Sequence, residues 1–123
     1  MKQNDILIID DEQKFADMLA KRLFLRGFSA KVCYDGRTGI ETFFENDFKI
    51  VLLDLRLPDM NGEDVLMHIM EKGPVTPVII ITGHGSENDR ISCMGKGAFA
   101  FMQKPIQIDG LTDLLKTIQT KSI

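Results

Sequence analysis

Three short runs, Ile6 to Ile9, Ile50 to Leu53 and Val78 to Ile81, are apolar at every position and rich in β-branched residues. A strand with one face in water alternates apolar and polar side chains. A strand that is apolar throughout has both faces covered, as in a parallel sheet held between two layers of helix. Parallel neighbours cannot be joined by hairpins, so each connection must carry the chain back to the starting edge. The chain is therefore expected to alternate strand and helix.

The intervening segments fit that expectation. Gln13 to Arg26 carries Phe15, Met18, Leu19 and Leu23 at helical spacing and is closed by Gly27. Ala30, Val32 and Tyr34 alternate as a half-buried strand, the Asp35-Gly36 turn follows, and Ile40, Phe43 and Phe44 mark a second helix. Pro58 and Asn61-Gly62 break the chain before a helix bearing Val65, Leu66, Ile69 and Met70, which ends at Gly73-Pro74. A polar helix from Ser86 to Met94, a strand from Ala98 to Met102 and a helix with Ile108, Leu111, Leu114, Leu115 and Ile118 complete five strand-helix units. At 123 residues and 44% hydrophobic, residues 1–123 are expected to form a single domain with its own core. Right-handed crossovers make such an α/β chain an open, doubly wound three-layer sandwich. Ligands of that architecture sit beyond the carboxyl ends of the strands, where the winding reverses.

Polar residues stand at those ends. Asp10, Asp11 and Glu12 follow the first run, Asp54 the third, Thr82 the fourth, and Lys104 the fifth strand. Singly, each has an ordinary explanation: Asp11 or Glu12 as a helix cap or first-turn acid, Asp54 as a strand terminator, Thr82 as a strand-end hydroxyl, Lys104 as a solvated turn residue. Capping alone explains the conjunction poorly. Carboxylates gathered at one place repel unless a cation sits among them, and an all-oxygen ligand set suits Mg²⁺, which completes its octahedron with water and phosphate oxygens. Asp54 is the natural nucleophile, because a carboxylate can form an acyl phosphate. Thr82 would donate its hydroxyl to a phosphoryl oxygen, while Lys104 would pair with Asp54 at rest and with the phosphoryl group afterwards. Gly83 leaves the space beside Thr82 open.

Several classes are excluded or disfavoured. A net charge of −3 with no basic run argues against direct nucleic-acid binding by this domain. No apolar stretch approaches the roughly 18 residues of a membrane span, and the start lacks the order of a signal peptide, so the cytoplasm is the expected compartment. Cys33 and Cys93 form no CxxC or Cys/His grouping and read as buried thiols.

The motifs IIDDE at Ile8 to Glu12, LLDLRLPDMNG at Leu52 to Gly62, IITGHG at Ile80 to Gly85 and GAFAFMQKP at Gly97 to Pro105 resemble those of the receiver domain of bacterial two-component response regulators. The resemblance runs over the whole chain. It implies a flavodoxin-like sheet of strand order 2-1-3-4-5, which would make the first and third strands neighbours. It also implies that Asp54 accepts a phosphoryl group from a sensor histidine kinase, a histidine phosphotransfer protein or a small phosphodonor. Asp10, Asp11, Asp54 and the backbone carbonyl of Arg56 would then hold Mg²⁺. Thr82 and Lys104 would read the phosphoryl group, Lys104-Pro105 would be cis, and Phe101 would turn toward the space that Thr82 leaves. Such a domain modifies and unmodifies itself and is not expected to be a conventional enzyme.

Further expectations follow from the same likeness. The face built from the fourth helix, fifth strand and fifth helix would be the output surface, serving a C-terminal effector domain in the full-length protein or a phosphorylation-dependent homodimer. Phe15, Met18 and Leu19 on the first helix would meet the kinase, although they are also adequate core. Phe99, where receivers often carry a small polar or acidic residue, would either mark a partner or dimer surface or pack beneath the fourth helix, and packing is the reading favoured. His84 and Arg56 are expected to face solvent beside the site, and the His84 loop resembles that of receivers attached to enhancer-binding activators. Two competitors remain. A metal-dependent aspartyl-phosphate phosphohydrolase would turn over many phosphoesters, and a flavodoxin-like cofactor binder would need a phosphate-cradling first loop where this chain has an acidic one.

Overall fold

A computed structural model of the chain describes residues 5–72 and 76–121. Five parallel strands, β1 (Ile6–Ile9), β2 (Ala30–Cys33), β3 (Ile50–Leu53), β4 (Val78–Thr82) and β5 (Ala100–Gln103), form one sheet of order β2-β1-β3-β4-β5. Helices α1 (Gln13–Leu25), α2 (Gly36–Glu45), α3 (Gly62–Lys72), α4 (Glu87–Gly95) and α5 (Ile108–Lys121) alternate with them. The order expected from the resemblance is the order found.

Alternation along the strands builds two cores. Leu7, Ile9, Val51, Leu53, Val78 and Ile80 pack with Phe43, Val65, Leu66, Ile69 and Cys93 on the α2, α3 and α4 side. Ile6, Ile8, Ile50, Leu52, Ile79 and Ile81 pack with Ala16, Leu19, Leu23, Leu111 and Leu115 on the α1 and α5 side. Every residue of β1, β3 and β4 is buried, as their unbroken apolar runs require, whereas the edge strands β2 and β5 are only partly covered. In the register Ile9 pairs with Leu53, and the Asp54 N–H continues the ladder to the Ile9 carbonyl at 2.9 Å. Asp10 and Asp54 therefore leave adjacent strands side by side.

Several boundaries differ from expectation for identifiable reasons. Asp35 does not make a free-standing turn: it is the N-cap of α2, accepting the Thr38 N–H at 2.8 Å, and Gly36 is already helical. Asp59 reinforces that end from the loop after β3, accepting the N–H groups of Gly36 at 2.8 Å and Arg37 at 2.9 Å. Tyr34 lies just beyond β2, its hydroxyl donating to Asp17 at 2.6 Å. β5 starts at Ala100 rather than Ala98, because Gly97, at φ +107°, turns the chain and the Ala98 N–H closes back on the Cys93 carbonyl at 3.0 Å. The expected stop of α3 at Gly73-Pro74 lies outside the described residues. Both thiols are free and buried, with the Cys33 Sγ donating to the Thr42 hydroxyl at 3.4 Å. Among the described residues no helix is long and apolar enough to cross a membrane.

Candidate phosphoacceptor site

The carboxyl ends of β1, β3 and β5 meet at Lys104. Its Nζ lies 2.8 Å from Asp10 Oδ2 and 3.2 Å from Asp54 Oδ2, and it also donates to Glu12 Oε1. The Phe15 ring covers another side of the ammonium, its centroid 4.3 Å from Nζ. Three donors thus reach three carboxylates, which is the full capacity of an ammonium group. Asp10 and Asp54 are both 3% exposed. Their second oxygens are held by backbone, Asp10 Oδ1 accepting the Glu12 N–H at 2.9 Å and Asp54 Oδ1 the Arg56 N–H at 3.3 Å.

Burial drives the electrostatics here. Burial pushes the Asp10 carboxyl up to about 6, against the hydrogen bonds from Lys104 and the Glu12 N–H, and the neighbouring Asp54 charge adds to the rise. For Lys104, burial opposes the charge, but hydrogen bonds to Asp10 and Glu12 and the nearby acids outweigh it and raise its pKa above the ordinary lysine value. The ammonium stays charged, while burial makes Asp10 reluctant to ionise.

Thr82 ends β4 with no exposed surface, its hydroxyl accepting the His84 N–H at 3.3 Å. The Lys104 N–H donates to the Thr82 carbonyl at 2.9 Å, joining the ends of β4 and β5. Phe101 packs partly buried against the α4-side core, the face opposite to Ala100 and Met102. Between Thr82 and Phe101 lies Gly85: a Cβ there would collide with the Phe101 ring and stand 2.9 Å from Thr82 Cγ2. Gln103 secures the same loop through a hydrogen bond from Nε2 to the Gly85 carbonyl. A Cβ at Gly83 would make ordinary van der Waals contact with the Lys104 stem, at 3.8 Å, so the position tolerates a side chain but is not open space.

The family model of the response regulator receiver domain matches residues 6–116. The chain belongs to that family. It is 33% identical over 111 residues to the uncharacterized transcriptional regulatory protein YkoG of Bacillus subtilis, a match covering 90% of this chain and 49% of that protein. It is 34% identical over 118 residues to the putative response regulator NtrX-like of Rickettsia felis, covering 94% of this chain and 25% of the relative. A receiver domain structure from Clostridium thermocellum superposes with a TM-score of 0.90 at 29% identity, covering 98% of this chain and 97% of that one. The chain thus spans about half the length of the first relative and a quarter of the second. Receiver domains of two-component response regulators are signalling switches, and this fold and family place the chain among them.

Of the acids singled out in the sequence, Asp10 and Asp54 come together, while Asp11 is exposed and stands outside the cluster. Glu12 joins instead: one carboxylate oxygen from each of Asp10, Glu12 and Asp54 lies within 4.8 Å of the others. Glutamate is a poor N-cap residue. Glu12 occupies the N-cap of α1 without making a side-chain cap bond, and that mismatch was the available hint that its carboxylate is used elsewhere. Arg56 and His84 are exposed beside the site, as expected. A groove of about 550 Å³ opens next to Lys104 between α1 and the start of α5, lined in part by Phe15, Met18, His84 and Ile106. Leu19, at 1% exposed, belongs to the core and offers little to a partner. The packing expected of Phe99 is not found. It is 42% exposed, because the Gly97 turn carries it outside the strand proper.

Proposed function

We propose that this receiver is a phosphoryl-accepting signalling switch with Asp54 as the phosphoacceptor. The observation carrying the reading is the placement of a buried carboxylate, Asp54, against the Lys104 ammonium and within 4.8 Å of two further acids at the carboxyl edge of a doubly wound sheet. One Asp54 oxygen attacks the phosphorus of a phosphohistidine on a sensor kinase or phosphotransfer protein, or of a small acyl phosphate. The bond from phosphorus to the donor breaks, the donor leaves with its electron pair and takes up a proton, and an aspartyl phosphate forms.

The carboxylate oxygens of Asp10, Glu12 and Asp54, within 4.8 Å of one another, fit Mg²⁺, and the exposed Asp11 would have to turn in to join them. Asp10, Asp11, Asp54 and the Arg56 carbonyl are the proposed ligands, with Glu12 a further acid beside them. When bound, the ion would offset repulsion between this cluster and the incoming phosphoryl group. Lys104 then pairs with the phosphoryl oxygens and Thr82, whose oxygen already accepts the His84 N–H, donates its hydroxyl hydrogen to them. An added charge of nearly two units at this end biases Thr82 inward, Phe101 follows, and the face of α4, β5 and α5 changes for an effector domain or a second copy. The groove beside Phe15 and Met18 is the surface offered to the kinase.

The test is intact mass after incubation with Mg²⁺ and a small acyl phosphate. A single phosphoryl adduct is expected, absent in Asp54→Asn and in metal-free buffer. An adduct that survives Asp54→Asn would move the acceptor elsewhere, and continuous turnover of unrelated phosphoesters would favour a hydrolase.

A further inference from the structure

The receiver likeness gives Glu12 and Phe15 no part in the chemistry at Asp54, yet both engage the Lys104 ammonium. Lys104 is drawn three ways, and its 3.2 Å contact with Asp54 is longer than the 2.8 Å contact with Asp10. Two further contacts to the ammonium come from the start of α1. Glu12 contributes a carboxylate from the solvent side, 59% exposed, and Phe15 contributes a ring face 4.3 Å away. Glu12 is free to do so because its side chain makes no bond to the helix it caps. With neither partner, an ammonium on a flexible stem would settle between the two buried carboxylates, where attraction is least screened.

We propose that Glu12 and Phe15 are positioning residues for Lys104: they share its ammonium with Asp54, so that the nucleophilic carboxylate holds it by a single 3.2 Å hydrogen bond and yields it readily when a phosphoryl group arrives. The inference rests on Asp54 being the acceptor. Lys104 stays within reach of Asp54, so the same placement lets it meet the phosphoryl oxygens once the transfer is complete. Charge and ring act separately, and this allows them to be tested separately.

Glu12→Gln removes the charge, Phe15→Leu removes the ring face without altering charge, and Phe15→Tyr restores a ring. Phosphoryl uptake is measured with Mg²⁺ and a small acyl phosphate both saturating, which removes differences in metal or donor affinity. Since exposed pairs contribute little, Glu12→Gln and Phe15→Leu are each expected to slow maximal uptake about two- to fivefold, with Phe15→Tyr near wild type. Metal-free crystal structures supply the second readout, in which Lys104 Nζ of Glu12→Gln lies closer to Asp54 than to Asp10. Unchanged maximal uptake in Glu12→Gln, or an unmoved Lys104 in its structure, would overturn the proposal. A wild-type protein that takes up no phosphoryl group would instead remove the reading of Asp54 and leave the metal-free structures to decide the placement of Lys104.

Discussion

On the α1 side of the site, Lys104 is gripped by three carboxylates and an aromatic ring, over a core in which Ala16, Leu19 and Leu23 are buried. On the α4 side a single helix residue, Cys93, is buried, and Ile91 (56%), Met94 (38%) and Phe99 (42%) are exposed. α4 is held largely by polar contacts at its rim: Ser92 Oγ donates to Glu63 Oε1 at 2.7 Å, Lys96 Nζ reaches the same oxygen at 2.6 Å, and Ser86 and Asp89 close a capping box. One flank anchors the chemistry through charge and packing, while the other rests on bonds that water can replace. Regions that move are drawn from the weakly packed end of a structure, and α4 fits that condition.

The largest test of this contrast is to damage the shared centre. Leu53→Ala, with no exposed surface at the middle of the sheet, should cost about 2–5 kcal/mol of stability in urea denaturation. A loss under about 1 kcal/mol would mean that the centre is less tightly packed than its burial implies.

The next effect is electrostatic. The Asp10 carboxyl sits at about 6 in the folded protein against an ordinary 3.8, so its penalty is fully present above about pH 6 and is relieved as pH falls toward 4. In metal-free buffer, Asp10→Asn should therefore be more stable than wild type at pH 7, by about 1–3 kcal/mol, with the advantage gone near pH 4. Mg²⁺ should narrow the difference by stabilising wild type. Asp59, Glu63 and Asp89 run the other way, since their hydrogen bonds hold them below the ordinary value and their support fades only as the solution becomes more acid still. A pH-independent difference between the two proteins would contradict the assignment to Asp10.

Smaller and more local is the effect of Glu63→Gln. It should speed amide hydrogen exchange in α4 by up to about tenfold while leaving α1 unchanged. Equal acceleration in both helices would erase the distinction between the flanks. Smallest of all, Ile91→Ser with Phe99→Ser should change stability by no more than about 0.5 kcal/mol, because neither side chain is buried.

Much of this arrangement is legible from residue order alone. Continuous apolar runs announce β1, β3 and β4, and the polar residues ending them mark where Asp10, Asp54 and Thr82 stand, with Lys104 following β5. Strand order came with the family resemblance, since periodicity does not say which strands are neighbours. What sequence hides is the use of side chains across long separations. Asp59 caps α2 from a loop 23 residues away, and Glu12 reaches Lys104 across 92 residues, neither of which leaves a local pattern. Phe99 misleads for the opposite reason: an apolar residue beside an apolar strand reads as core until the Gly97 turn is seen to displace it.

Gly85 carries a consequence for any conformational response at this end of the sheet. The Thr82 methyl and the Phe101 ring both rest where its side chain would be, so a single methyl group at position 85 would act as a wedge between the tips of β4 and β5. Such a wedge would leave every carboxylate and the ammonium untouched. On the proposed function, a chain so altered would keep the acceptor carboxylate while the aromatic ring lost its resting place, separating the capacity to be modified from the capacity to respond.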